Sequence, residues 1–254
     1  DWLAVLRGTF VPHLSTSREY LLMFVAIMGT TISPYLFFWQ AAQNAEQDAL
    51  IMRRIVGRPR RAVQRELRAA ARDVNAGMLF SNLIMYFIIL TAGSTLHPAG
   101  LTNVQTAEQA AAALKPLAGD AAALLFTLGL VGTGMLGVPV LAGSAAYAIA
   151  EAAAWRAGMD QKVHKARQFY GVITVAMLVG MLLNFLHVNA IKLLIGSAVI
   201  NGLLAPPLIA IVLVVCNNEK VMGCHRNKRI LNILGGIAAV MMTAAVVALV
   251  VSFW

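Results

Sequence analysis

The sequence predicts an all-α integral membrane protein with six transmembrane helices. Of its 254 residues 59% are hydrophobic and 12% charged, where a soluble domain carries about a quarter charged residues. The apolar residues also fall in six uninterrupted blocks, each of the roughly 20 residues that cross a hydrocarbon core. Lipid offers no partner to backbone N–H and C=O groups, so the spans are helices or a closed barrel. The alternating pattern of barrel strands is absent, which leaves helices.

A single transmembrane domain over 1–254 is expected, with spans at about 20–41, 76–94, 121–153, 168–187, 189–215 and 230–253. Residues 1–19 are too polar and short to cross, so they are expected along the outer surface. Ser15 or Thr16 is placed to cap the first span, with Glu19 in its opening turn. The stretch 46–75 holds helix formers and arginines interrupted by Gly57-Arg58-Pro59, which predicts two short surface helices. In the outer loop, Thr106 is placed to cap the alanine-rich helix TAEQAAAAL before Lys115-Pro116. The third block exceeds the length of a span and is expected to tilt or bend. Its Gly132, Gly134 and Gly137 match dinucleotide-loop spacing, but no strand precedes them, so they read as helix-packing positions.

Sixteen of the 20 basic residues cluster in three loops, 46–75, 156–167 and 217–229, which follow spans one, three and five. The positive-inside rule makes these loops cytoplasmic. Span one then enters from outside and Trp254 ends outside. The expected location is a bacterial cytoplasmic (inner) membrane, crossed several times. The chain opens on Asp1 ahead of a span entering from outside, which predicts further crossings upstream. The arginines read as a solvated, orientation-setting run, with anionic lipid headgroups as the alternative partner. No nucleic-acid partner is expected. Cys216, Cys224 and His225 offer three ligands where zinc takes about four, so no metal is assigned to that loop.

Chemistry concentrates in span one, at Gly29-Thr30-Thr31-Ile32-Ser33-Pro34-Tyr35. Non-helical backbone survives at membrane depth only where it faces protein or a water-filled cavity. Pro34 lacks an N–H and clashes with the carbonyl of Thr30, which frees the carbonyls of Gly29 and Thr30. With the Thr31 and Ser33 hydroxyls they form a hard oxygen site suited to a small cation. The alternative is a simple proline kink with Ser and Thr bonding back to the helix. Below it, Gln40, Gln43, Asn44 and Glu46 line an inner vestibule or mark the water interface. Glu151, an acid within a long apolar block, is a functional candidate by default, though its place near the cytoplasmic end equally suits a half-exposed structural role. Asn75, Asn82 and Asn184 read as helix-packing residues.

The order GTTISPYLFFWQ, then LFTLGLVGTGMLGVPVLAGSAAYAIAEA, then AVINGLLAPPLIAIVLVVCNN followed by VMG and Asn227, resembles the NRAMP family of divalent-metal transporters. The resemblance runs through essentially the whole chain and places it as family spans six to eleven. It implies the second inverted repeat of a LeuT-type fold plus one extra helix, with the N-terminal repeat of the same protein as its partner. It further implies a secondary transporter working by alternating access, with no enzymatic chemistry, no catalytic residues and no cofactor, the divalent cation being substrate. The family's sixth span carries Ala-x-x-Met-Pro-His, whose alanine carbonyl and methionine sulfur bind the ion. Aligned on the proline, these positions are Thr30, Ser33 and Tyr35.

The metal ligands implied are therefore Thr30 and Ser33, with Gly29, Thr31, Tyr35 and Asn201 along the pathway and Pro34 as the hinge. Replacing a thioether by a hydroxyl implies a harder ion, magnesium- or manganese-like. Loss of the histidine, and a 169–186 segment with no charged side chain, imply that the usual proton relay is missing from this part. The family's tenth span offers the ion a glutamine, which corresponds to the neighbourhood of Ala198, with Asn201 a turn away. Two rivals stand beside this reading: a LeuT-type carrier of an amino acid or other organic solute, and a non-transporting membrane subunit.

Overall fold

The computed structural model describes residues 2–11, 15–32, 34–52, 60–96, 106–112, 119–186, 188–223 and 226–253, with 100, 104 and 115. All regular structure among them is helical: α1 (Trp2–Phe10), α2 (Arg18–Ile32), α3 (Pro34–Met52), α4 (Arg60–Leu96), α5 (Ala107–Ala112), a 3-10 turn (Gly119–Ala121), α6 (Ala122–Ala152), α7 (Arg167–Phe185), α8 (Ala190–Asn217), α9 (Glu219–Met222) and α10 (Arg229–Val251). Five stretches are long and apolar enough to cross a bilayer: Arg18–Glu46, Arg68–Leu96, Gly119–Ala152, Ala190–Asn217 and Arg229–Val251. The remaining expected span, the fourth at 168–187, coincides with α7, whose apolar helical stretch Arg167–Leu183 is shorter.

The boundaries follow local chemistry. The helix α2 starts at Arg18 rather than at Ser15 or Thr16, with the Ser17 N–H donating to Ser15 Oγ at 3.2 Å and Glu19 in the first turn. Thr106 does cap α5, accepting from the Gln109 N–H at 3.3 Å. Where two short surface helices were expected over 46–75, α3 instead continues its span to Met52 and α4 runs unbroken from Arg60 into the next span. The good helix formers at both span ends simply extend the hydrogen-bond ladder. Gly57-Arg58-Pro59 lie outside the described residues. At 37 residues α4 is about 55 Å long, nearly twice the hydrocarbon thickness, and it carries Arg65, Arg68 and Arg72 exposed on one face.

The chain divides into two compact units, 1–34 with 192–254, and 35–191. In the first, α10 runs antiparallel to α2, with Val25 packed among Ala245 and Leu249 and the Arg18 guanidinium 3.9 Å from the centre of the Phe253 ring. It also runs antiparallel to α8: Asn217 and Asn232 exchange amide hydrogen bonds of 3.0 and 2.7 Å, and Gly235 packs on Leu213.

In the second unit, α3, α6 and α7 gather Trp39, Ala42, Ala146, Tyr147, Ala150 and Phe169 into a core beside Ala166. The end of α6 is a Schellman turn, with the Trp155 N–H returning to the Ala150 carbonyl at 2.8 Å and the Ala154 N–H to Glu151 at 3.2 Å. Its left-handed position, φ 54°, is taken by Ala154 rather than glycine.

Candidate functional site

The helix α2 is held by close backbone approach. Val25, Ala26 and Gly29 are buried on α2, and α8 offers them the buried small residues Ala198, Gly202 and Ala205. A Cβ on Gly29 would overlap the Ala198 carbonyl oxygen and the Gly202 main chain. One on Gly202 would lie 2.5 Å from the Val25 carbonyl oxygen. Small residues at this spacing let helices meet backbone to backbone, the usual glue where lipid removes the hydrophobic drive. Ala198, matched by the resemblance to the ion-facing glutamine, thus packs against Gly29. Asn201 lies between these contacts on α8, half-buried, its amide making no hydrogen bond to another described residue.

At the end of α2 both threonine hydroxyls turn back, Thr30 at 2.7 Å and Thr31 at 2.8 Å from the Ile27 carbonyl. The Thr31 hydroxyl, expected as a ligand, is therefore engaged within its own helix. Threonine hydroxyls reach the preceding turn's carbonyl easily, which is why the kink reading foresaw this bond. Pro34, four residues beyond Thr30, carries no N–H of its own.

Pro34 is the first described residue of α3. Ser33 lies outside the described residues, as does the side chain of Asn184. Tyr35, half-buried in the first turn of α3, belongs to the other unit.

The helix α3 is held by side chains. A Cβ on Gly143 of α6 would fall in the Trp39 ring, and Tyr147 packs edge-on against both Trp39 and Phe169. Beyond them, the Tyr147 hydroxyl donates to Glu46 Oε1 at 2.9 Å and accepts from the Met159 N–H at 3.1 Å. Glu46 is thus tied into the protein, while Gln40, Gln43 and Asn44 are exposed. Sequence reasoning missed Tyr147 and Gly143. The available signal was the recurrence of Trp39, Ala42 and Glu46 on one helical face.

Several expectations shift with the packing. Gly132, Gly134 and Gly137 have open space where a Cβ would go, so no described residue packs on them; the close approaches are made by Gly29, Gly202 and Gly143. Asn82 donates to the Met78 carbonyl of its own helix at 2.8 Å, and Asn75 is exposed among the described residues. Glu151 is exposed at the end of α6.

A cavity of about 630 Å³ lies between α4 and α6, walled by Ile84, Phe87, Ile88, Phe126 and Leu130. Its walls carry no charge, and the Thr133 hydroxyl that reaches it bonds to Gly129, so it offers a cation nothing. Among the described residues no three His, Cys, Asp or Glu side chains come together. Cys216 is half-buried with a free thiol, whereas Cys224 and His225 lie outside the described residues.

Comparison with known proteins gives a consistent neighbourhood. The family model described as natural resistance-associated macrophage protein-like, Nramp, matches residues 1–252. A divalent metal cation transporter MntH from Yersinia enterocolitica is 24% identical over 237 residues, covering 90% of this chain and 51% of that protein. MntH from Verminephrobacter eiseniae is 27% identical over 248 residues, 94% of this chain and 50% of its own length. MntH from Erwinia tasmaniensis is 30% identical over 133 residues, 52% of this chain and 29% of that protein. The chain thus spans at most about half the length of these relatives.

Proposed function

This chain belongs to the Nramp family, and from that premise we propose that it forms part of a secondary transporter that moves a divalent metal cation across a cytoplasmic membrane by alternating access. The observations that carry the reading are the family match over residues 1–252 and the proline inside the first candidate span, Arg18–Glu46, whose ring brings no N–H to the turn before it. Relatives described as divalent metal cation transporters support the substrate class.

The ion is magnesium- or manganese-like, because the candidate ligands, the Thr30 carbonyl and the Ser33 hydroxyl, are hard oxygens. Gly29, Thr31, Tyr35 and Asn201 belong to the pathway, and Pro34 is the hinge. Thr31 contributes through its main chain, its hydroxyl being engaged with Ile27. The remaining ligands come from the rest of the protein, in a LeuT-type arrangement of inverted repeats. A carrier of an organic carboxylate is the second reading.

The complete protein in sealed vesicles separates the readings. Ser33→Met should shift preference from manganese toward cadmium by on the order of tenfold, equivalent to about 1.4 kcal/mol. Unchanged selectivity would sink the ligand assignment. Absence of divalent uptake with Ser33 intact would sink the metal reading altogether.

A further inference from the structure

The carboxylate of Glu46 lies 12 residues beyond Pro34, about 18 Å along α3, too far to touch an ion at the break. It is nevertheless bound specifically. Its Oε1 accepts from the Tyr147 hydroxyl, whose oxygen accepts from the Met159 N–H. Tyr147 is only 2% exposed. From the opposite side, Gly158 passes so close that a Cβ there would be 2.8 Å from the same Oε1, and its φ of 144° also excludes other residues.

The α6–α7 connection does not depend on Glu46 for its own shape. The Tyr170 hydroxyl lies within hydrogen-bonding distance of the Met159 and Gln161 carbonyls, 3.1 and 3.0 Å away, and secures the connection to α7. The Tyr147–Glu46 bond therefore acts on α3. Together with the Trp39–Gly143 contact it fastens α3 to α6 at two points. We propose that Glu46 and Tyr147 are positioning residues, a clasp that holds α3 against α6 and is released when α3 moves during the transport cycle. The inference rests on the transport reading for its purpose, but the clasp can be tested without transport.

The test uses the complete protein with Cys216 and Cys224 replaced by serine and nitroxide labels at Asn44 and Gln161, both exposed, in liposomes. Pulsed electron resonance should give one distance between the labels in the parent and a second, longer population in Tyr147→Phe and Glu46→Leu. Glu46→Gln keeps an acceptor oxygen and should restore the single distance. Tyr170→Phe should broaden the distance without adding the longer population.

In unlabelled vesicles, Glu46→Leu should lower the maximal manganese uptake rate by about tenfold, as expected for losing a hydrogen bond to a charged group, with KM changed less than about twofold. A purely structural role would not be rescued by glutamine in this way. If Tyr147→Phe fails to fold, Gly158→Ala reaches the same carboxylate and should produce the same second population. A single unchanged distance in Glu46→Leu, or glutamine behaving as leucine, overturns the clasp. Distances that respond in vesicles taking up no divalent ion leave the clasp standing and overturn the transport reading instead.

Discussion

The helices α2 and α3 are anchored by opposite means. On α2 the contact is main chain against main chain, Gly29 on Ala198 and Gly202, with no side chain able to yield. On α3 it is side chain against main chain and side chain against side chain, through Trp39 on Gly143 and Glu46 on Tyr147. Backbone contacts between helices are stiff because a shift in one must move the whole helix. Side-chain contacts relax by rotamer changes or by exchanging one hydrogen bond for water. The lesson is that contacts on successive helices can differ in how readily they yield, and here the firm one is on α2.

The largest effect should come from Gly29→Ala, which sets a methyl against backbone atoms. We expect a loss of about 3 kcal/mol, the upper end for overpacking, read as a lowered unfolding midpoint in mild detergent and as near-abolished uptake. Gly143→Ala should cost less, about 1–2 kcal/mol, since the Trp39 ring can tilt. Trp39→Phe in the same protein should recover part of that loss, with a coupling of about 1 kcal/mol in a double-mutant cycle. Equal costs at Gly29 and Gly143, or no coupling, would erase the distinction between the two anchors.

The smallest effect should be a gain. Ala154→Gly relieves a left-handed alanine at the end of α6 and should stabilise by about 0.5–1 kcal/mol. It does so on the α3 side alone, so the cost of Gly29→Ala should be unchanged in its background.

The membrane-spanning helices were legible because apolar block length is imposed by the bilayer rather than by the partner. Partners were not legible. Gly132, Gly134 and Gly137 stood out by spacing, yet it is Gly29, Gly143 and Gly202 that meet another element. Small residues permit close approach without saying what approaches. The pairing of Val25 and Gly29 with Ala198 and Gly202 was visible in each helix as two small or short residues four apart, but only the fold joins the two lists. The surface helices were misjudged for a related reason: composition marks where lipid ends, not where a helix does. Thr31 offered a hydroxyl whose direction depended on its helix continuing past Ile27, a matter of local geometry that residue type leaves open.

The guanidinium of Arg18 over the ring of Phe253 joins residues from opposite ends of the chain, and this bears on the order of assembly. The unit formed by 35–191 is continuous, so its helices can associate as soon as they have been synthesised and inserted. The unit that holds α2 is discontinuous. The contacts of α2 with α8 and α10 form only after residues 35–191 have been synthesised, so this unit closes later than the continuous one can, and Arg18 meets Phe253 last of all.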